Sequence, residues 1–210
     1  MPRSKHARRV VGTRPADVFL NIPYDKKFER LYLAYIAGIS AFGLVPRATL
    51  EIPTSTRRLD RILGLLHKCQ FALHDLSRIE IDRTPPCTPR FNMPFELGLS
   101  VAWAHKGSNR HSWFVLESQT YRLAKSLSDL NGTDVHVHGG KIIGVFRCLS
   151  NAFVRQHRRP TVQQMGQIYR DLRKNLTSIL ETSGSESPYE ARAFRDLCVL
   201  ASESADAHVV

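Results

Sequence analysis

The chain is expected to fold as an α/β protein built on a parallel sheet of about five strands and followed by a helical C-terminal extension. Short apolar runs such as Asp17-Val18-Phe19-Leu20-Asn21-Ile22 and Gln70-Phe71-Ala72-Leu73-His74 read as buried strands. Between them lie longer stretches with apolar residues at helical spacing, and strands that alternate with helices form a parallel sheet covered on both faces. With 210 residues, 42% of them hydrophobic, the chain can bury a full core in one domain.

The elements follow in order. Residues Asp17 to Ile22 form the first strand, ended by Pro23. Asp25 caps the next helix, whose inner face is Phe28, Leu31, Tyr32, Tyr35, Ile36 and Ile39, with Gly43 closing it. Leu44 to Leu50 reads as a second strand, placed at an edge by Pro46. Ser55 or Thr56 caps a helix carrying Leu59, Ile62, Leu63 and Leu66, and the third strand ends at Asp75-Leu76-Ser77. A loop rich in proline and arginine, Arg78 to Arg90, leads into a small-residue helix that holds Glu96 in its first turn. Ser112 to Leu116 is a fourth strand, Tyr121 to Leu130 a helix, and Asp134 to His138 a fifth strand closed by Gly139-Gly140. From Ile142 the pattern is helical, broken at Arg159-Pro160 and at Ser183-Gly184-Ser185. The division is therefore a basic, flexible tail over 1–16, an α/β domain over 17–150 of three-layer, flavodoxin-like form, and a C-terminal helical extension over 151–210.

Composition narrows the function classes. No apolar run approaches the roughly 18 residues that a membrane span needs, and the basic N-terminus lacks the apolar core of a secretory signal. Cys69, Cys87, Cys148 and Cys198 lie far apart without a C-x-x-C pair, which points to reduced thiols and a cytoplasmic location. Thirty Lys and Arg against 19 Asp and Glu give a net charge of +11, concentrated in residues 1–14 and 147–174. Such patches suit an anionic partner or are solvated faces; without an aromatic RNA-binding pattern, zinc finger or helix-turn-helix, nucleic acid is the less favoured partner. No membrane partner is expected.

In an open parallel sheet, ligands bind outside the carboxyl ends of the strands. Asn21 with Tyr24 and Asp25, Glu51, and His74 with Asp75 all fall at such ends, and Glu96 starts its helix at the same rim. Glu96 has three readings: a carboxylate complementing the helix dipole, a buried partner of Arg90 or Arg78, or an acid tuned by apolar neighbours for catalysis. Asp75 is equally compatible with an ordinary turn residue. His136 and His138 share a strand face but supply only two ligands, so no metal is expected. No phosphate-binding glycine loop or other cofactor motif is present, and no cofactor is expected.

Three segments carry a resemblance. Asp17-Val-Phe-Leu-Asn-Ile-Pro-Tyr-Asp25 followed by Phe28 resembles the opening of TIR-like domains. Cys69-Gln-Phe-Ala-Leu-His-Asp75-Leu and Phe95-Glu96-Leu-Gly98-Leu-Ser-Val-Ala-Trp-Ala104 resemble nucleoside 2-deoxyribosyltransferases. The resemblance spans about residues 17–118. It implies an enzyme acting on the N-glycosidic bond of a nucleotide or of NAD, with Glu96 as nucleophile or stabiliser, Asp75 holding sugar hydroxyls and Tyr24 near the sugar or the carboxylate. Asn21, Asp25, Arg90 and Asn92 complete the implied substrate-binding set. Arg90 stands where the transferases carry an acid and Asn92 where they carry glycine, which points away from ordinary base exchange. Arg78, Arg83 and Arg90 suit a phosphate, or are a solvated basic loop. The alternative is a non-catalytic nucleotide-sensing or protein-interaction module. For that reading, Val162, Met165, Ile168, Tyr169, Leu172, Leu176 and Ile179 form a helical stripe that either joins two copies into a homo-oligomer or packs on the chain itself.

Overall fold

Residues 15–52, 57–79, 81–82, 85, 87–106 and 111–209 are described in the computed structural model. The basic N-terminal segment before residue 15, the Ser55 and Thr56 cap and Arg83 lie outside them. The elements run β1 (Asp17–Asn21), α1 (Glu29–Ala41), β2 (Val45–Arg47), α2 (Arg58–Lys68), β3 (Phe71–Asp75), β4 (Ile81–Asp82), β5 (Thr88–Pro89), α3 (Asn92–Ala104), β6 (Ser112–Glu117), α4 (Arg122–Ser126), β7 (Val135–Val137), α5 (Ile142–Ala152), α6 (Val162–Ser183) and α7 (Ala191–His208). The main sheet is parallel, in the order β2-β1-β3-β6-β7, while β4 and β5 form a small antiparallel pair. This is the expected α/β class and the flavodoxin-like strand order.

Several boundaries differ from the sequence reading, each for a local reason. The second strand stops at Arg47, because the Glu51 carboxylate accepts the Ala48 N–H (2.8 Å) and Arg47 Nε (3.0 Å) and turns residues 49–51 into one tight helical turn. Asp25 caps the turn before α1 rather than the helix itself, its Oδ1 accepting from the N–H groups of Lys27 and Phe28. The helix expected over 121–130 divides into α4 and a separate turn at Ser128–Leu130, and is entered through Tyr121 in the left-handed region (φ 63°). Glu96 lies in the second turn of α3, not the first.

Side chains alternate across a strand, so each strand divides its residues between the two faces. Val18, Leu20, Phe71 and Leu73 face α1 and α5, whereas Phe19 and Ala72 face Ile62, Leu65 and Leu66 of α2 with Leu99 and Trp103 of α3. Every residue of α1 except Arg30 is buried. A helix apolar all round must be covered all round, and α6 and α7 supply the second cover. Met165, Ile168 and Leu172 are fully buried in the same core as α1, Phe194, Leu197 and Ala201. The stripe considered as a dimer face is thus turned inward, and residues 151–209 form an added layer on the sheet domain rather than an appendage. Among the described residues, no helix is long and apolar enough to cross a membrane.

Gly144 marks the closest approach in this packing. A Cβ there would lie 2.0 Å from the oxygen of His138, a backbone atom that cannot swing aside as the end of a flexible side chain does. Gly144→Ala is therefore expected to cost about 1–3 kcal/mol through overpacking. Gly64→Ala in α2, where an added Cβ meets nothing within 4 Å, is expected to be neutral or to stabilise by up to about 1 kcal/mol. Paired urea melts of the two variants check the contrast.

Candidate active site

The sheet order reverses direction at β1 and β3, and a cleft of about 180 Å³ opens beside their carboxyl ends. It is lined by the stretch Leu20 to Tyr24 after β1, by Thr49, by Arg58 of α2, and by Arg90, Asn92, Met93 and Glu96 around the start of α3. Ligand pockets for drug-sized molecules span about 300–1,000 Å³, so this cleft admits a sugar-sized part of a ligand and leaves the remainder at its mouth.

Glu96 is the acid of the cleft. Its side chain is 4% exposed, and Nη2 of Arg58 approaches Oε1 to 3.3 Å. Burial pushes the Glu96 carboxyl above the usual glutamate range, and the Arg58 guanidinium works against that rise. In this geometry the helix-dipole reading falls away and the ion-pair reading changes its partner. The helix-dipole effect fades beyond the first turn, and the cationic partner is Arg58 rather than Arg90 or Arg78. Arg58 was legible only as one of several charges in a helix, and nothing in its spacing assigns it to Glu96.

Asn21 is held by its amide nitrogen. Nδ2 donates to Nδ1 of His74 (2.9 Å) and to the Met93 carbonyl (3.0 Å). Both amide hydrogens are thereby used, and Oδ1 is left as the acceptor for a ligand hydroxyl. His74 is fully buried, and burial drives its pKa down to about 3, so it is neutral. Since Nδ1 accepts, Nε2 carries the proton, and it is buried without a hydrogen-bond partner. His74 thus acts as a positioning residue for Asn21. Tyr24 donates its hydroxyl to the Leu20 carbonyl (3.0 Å), with its ring against the cleft; burial and then the Glu96 charge raise its pKa, so it stays protonated.

Asn92 and Arg90 also line the cleft. Asp25 does not; it anchors the rim instead, with Oδ2 3.4 Å from Arg78 Nη2 and 3.7 Å from Arg90 Nη1. Two guanidiniums are thereby gathered on one side of the mouth, where they suit a phosphate.

Asp75 is not part of the cleft. It shares a strand face with Phe71 and Leu73, opposite to His74, and so points toward α1. There it is completely buried, accepts the Tyr35 hydroxyl (2.7 Å) and the Ser77 N–H (2.9 Å), and lies 3.1 Å from His138 Nε2. The Ser77, His138 and Asp75 cluster is no hydrolytic triad. The Gly140 N–H donates to His138 Nδ1 (3.0 Å), so Nε2 bears the proton and cannot take one from the Ser77 hydroxyl 2.9 Å away. His136 does not join His138; its ring lies against Phe114. Among the described residues, no group of three or more His, Cys, Asp or Glu is arranged to hold a metal ion.

Compared with models of protein families, with curated proteins and with solved structures, the chain matches none of them.

Proposed function

We propose that the protein is an enzyme acting on the N-glycosidic bond of a nucleotide or of NAD, with Glu96 as its essential carboxylate. The observation that carries this reading is a single carboxylate, buried and raised in pKa, at the floor of a sugar-sized cleft at the sheet's switch point. The ribose enters beside Asn21 and Tyr24, with Asn21 Oδ1 accepting a sugar hydroxyl. The phosphate stays at the mouth with Arg90 and Arg78. As the carbon–nitrogen bond breaks, the base leaves with the bonding pair: the cationic nicotinamide of NAD departs neutral, whereas an ordinary nucleobase also takes a proton from water. The ionised Glu96 stabilises the cationic sugar or bonds to its anomeric carbon, and water then completes the hydrolysis.

The experiment is incubation of the purified chain and of Glu96→Gln with NAD and a panel of nucleotides and nucleosides, following released base by chromatography. Release by the native protein alone supports the reading. Equal release by both, or none from any member, overturns it. One observation favours a second reading, a nucleotide-sensing module: among the residues lining the cleft, Glu96 has no second carboxylate beside it. A sensor is stabilised against heat by one nucleotide of the panel without releasing its base.

Glu96 must be ionised to act, so base release is expected to rise with pH through its raised pKa. Arg58 favours the charged form; Arg58→Gln therefore moves that ascending limb to higher pH. A pH profile of kcat/KM for the two proteins checks the direction of the shift.

A further inference from the structure

A larger cavity lies elsewhere. It measures about 560 Å³ and sits between α7 and the segment from the end of α1 through β2. Leu44, Pro46, Phe194 and Val199 give it an apolar floor. Its ends differ chemically. α7 runs beside α1 in the same direction: the Tyr32 hydroxyl reaches Pro188 just before α7, while Arg158 lies beside Gly43 after α1 and bonds the Ala205 carbonyl near the end of α7. Ser40 and Ser202 therefore share one end. Arg192 and Arg195 lie toward the other, Arg192 about 15 Å from Ser202 along the helix axis. Ser40 is 3% exposed and its Oγ has no hydrogen-bond partner. Arg192 and Arg195 are exposed and, among the described residues, have no ion-pair partner, whereas Glu51 is engaged by Arg47 at 3.0 Å.

We propose that this cavity binds an amphipathic carboxylate with an apolar body, its anionic head on Arg192 and Arg195 and a hydrogen-bonding group at the far end on Ser40. Two unpaired guanidiniums select an anion, the apolar floor selects the chain, and the orphaned buried hydroxyl gains the partner it lacks. A peptide strand does not suit the same groove. The Val45 N–H is turned inward to the Ala16 carbonyl, so Pro46 occupies the outward position with no N–H to offer.

Isothermal titration of the full chain with 10-hydroxydecanoate, decanoate and decylamine tests the proposal without reference to glycosidic activity. Both acids are expected to bind, the hydroxy acid more tightly, and the amine not at all. The double variant Arg192→Gln/Arg195→Gln, altered only at exposed positions, is expected to weaken both acids at least tenfold. Val199→Trp, which fills the cavity from an exposed position, is expected to abolish binding. The proposal is overturned by an amine that binds as tightly as the acids, by unchanged binding in either variant, by no preference for the hydroxy acid, or by no heat from either acid.

Discussion

Glu96→Gln is expected to lower base release by about 10³-fold or more while leaving the fold intact. Glutamine keeps the shape of the side chain and removes the charge on which the proposed chemistry depends. Stability is expected to hold or rise. Burial raises the pKa of Glu96 in the folded chain, so its contribution is favourable at low pH, where the carboxyl is neutral, and is lost as pH rises through the raised value. At neutral pH the native protein bears the cost of a buried charge that the exposed Arg58 only partly offsets, and glutamine removes that cost. Activity assays and thermal melts on the same preparation read both effects. Loss of activity together with a fall in Tm would mark Glu96 as a structural residue instead.

Asp75→Ala is expected to have the opposite signature: a loss of about 3–5 kcal/mol in stability. The variant strands the Tyr35 hydroxyl and the Ser77 N–H in the interior and removes the carboxylate beside His138. These contacts tie α1, the end of β3 and the loop after β7 together, so the damage reaches three elements at once. For a chain of this length each kcal/mol lowers Tm by roughly 2–4 °C, and the melt is expected to shift by about 10 °C. Asp75→Asn keeps an acceptor for Tyr35 and is expected to lose less than half as much. If Asp75→Ala melts like the native protein and binds nucleotide less tightly, the clasp described here is wrong and a sugar-binding role returns.

These two acids show where the sequence was legible. Both fall at the rim of the sheet, and strand periodicity alone puts them there. Periodicity also carries the information that separates them: Asp75 is in phase with Phe71 and Leu73, Asn21 with Phe19, and His74 with Ala72. Counting strand ends gathers all of these residues at one site, whereas counting parity assigns Asp75 to the α1 side. The C-terminal stripe has the same lesson in reverse. Its helical spacing is plain, but so is the apolar surface all round α1, which has to be covered by something. Met165, Ile168 and Leu172 are that cover, and no second copy of the chain is needed to bury them.

Local chemistry determined the element types, the parallel-sheet class and the position of the rim, because apolar period and turn residues act over a few positions along the chain. Tertiary structure decided which polar groups meet. Arg58 reaches Glu96 across 38 residues, His74 fixes Asn21 across 53, and Arg78 and Arg90 converge on Asp25. Such partners are set by the packing of α2 and α3 on one face of the sheet. The ionisation of Glu96 follows from the water which that packing excludes, a quantity that no stretch of sequence carries by itself.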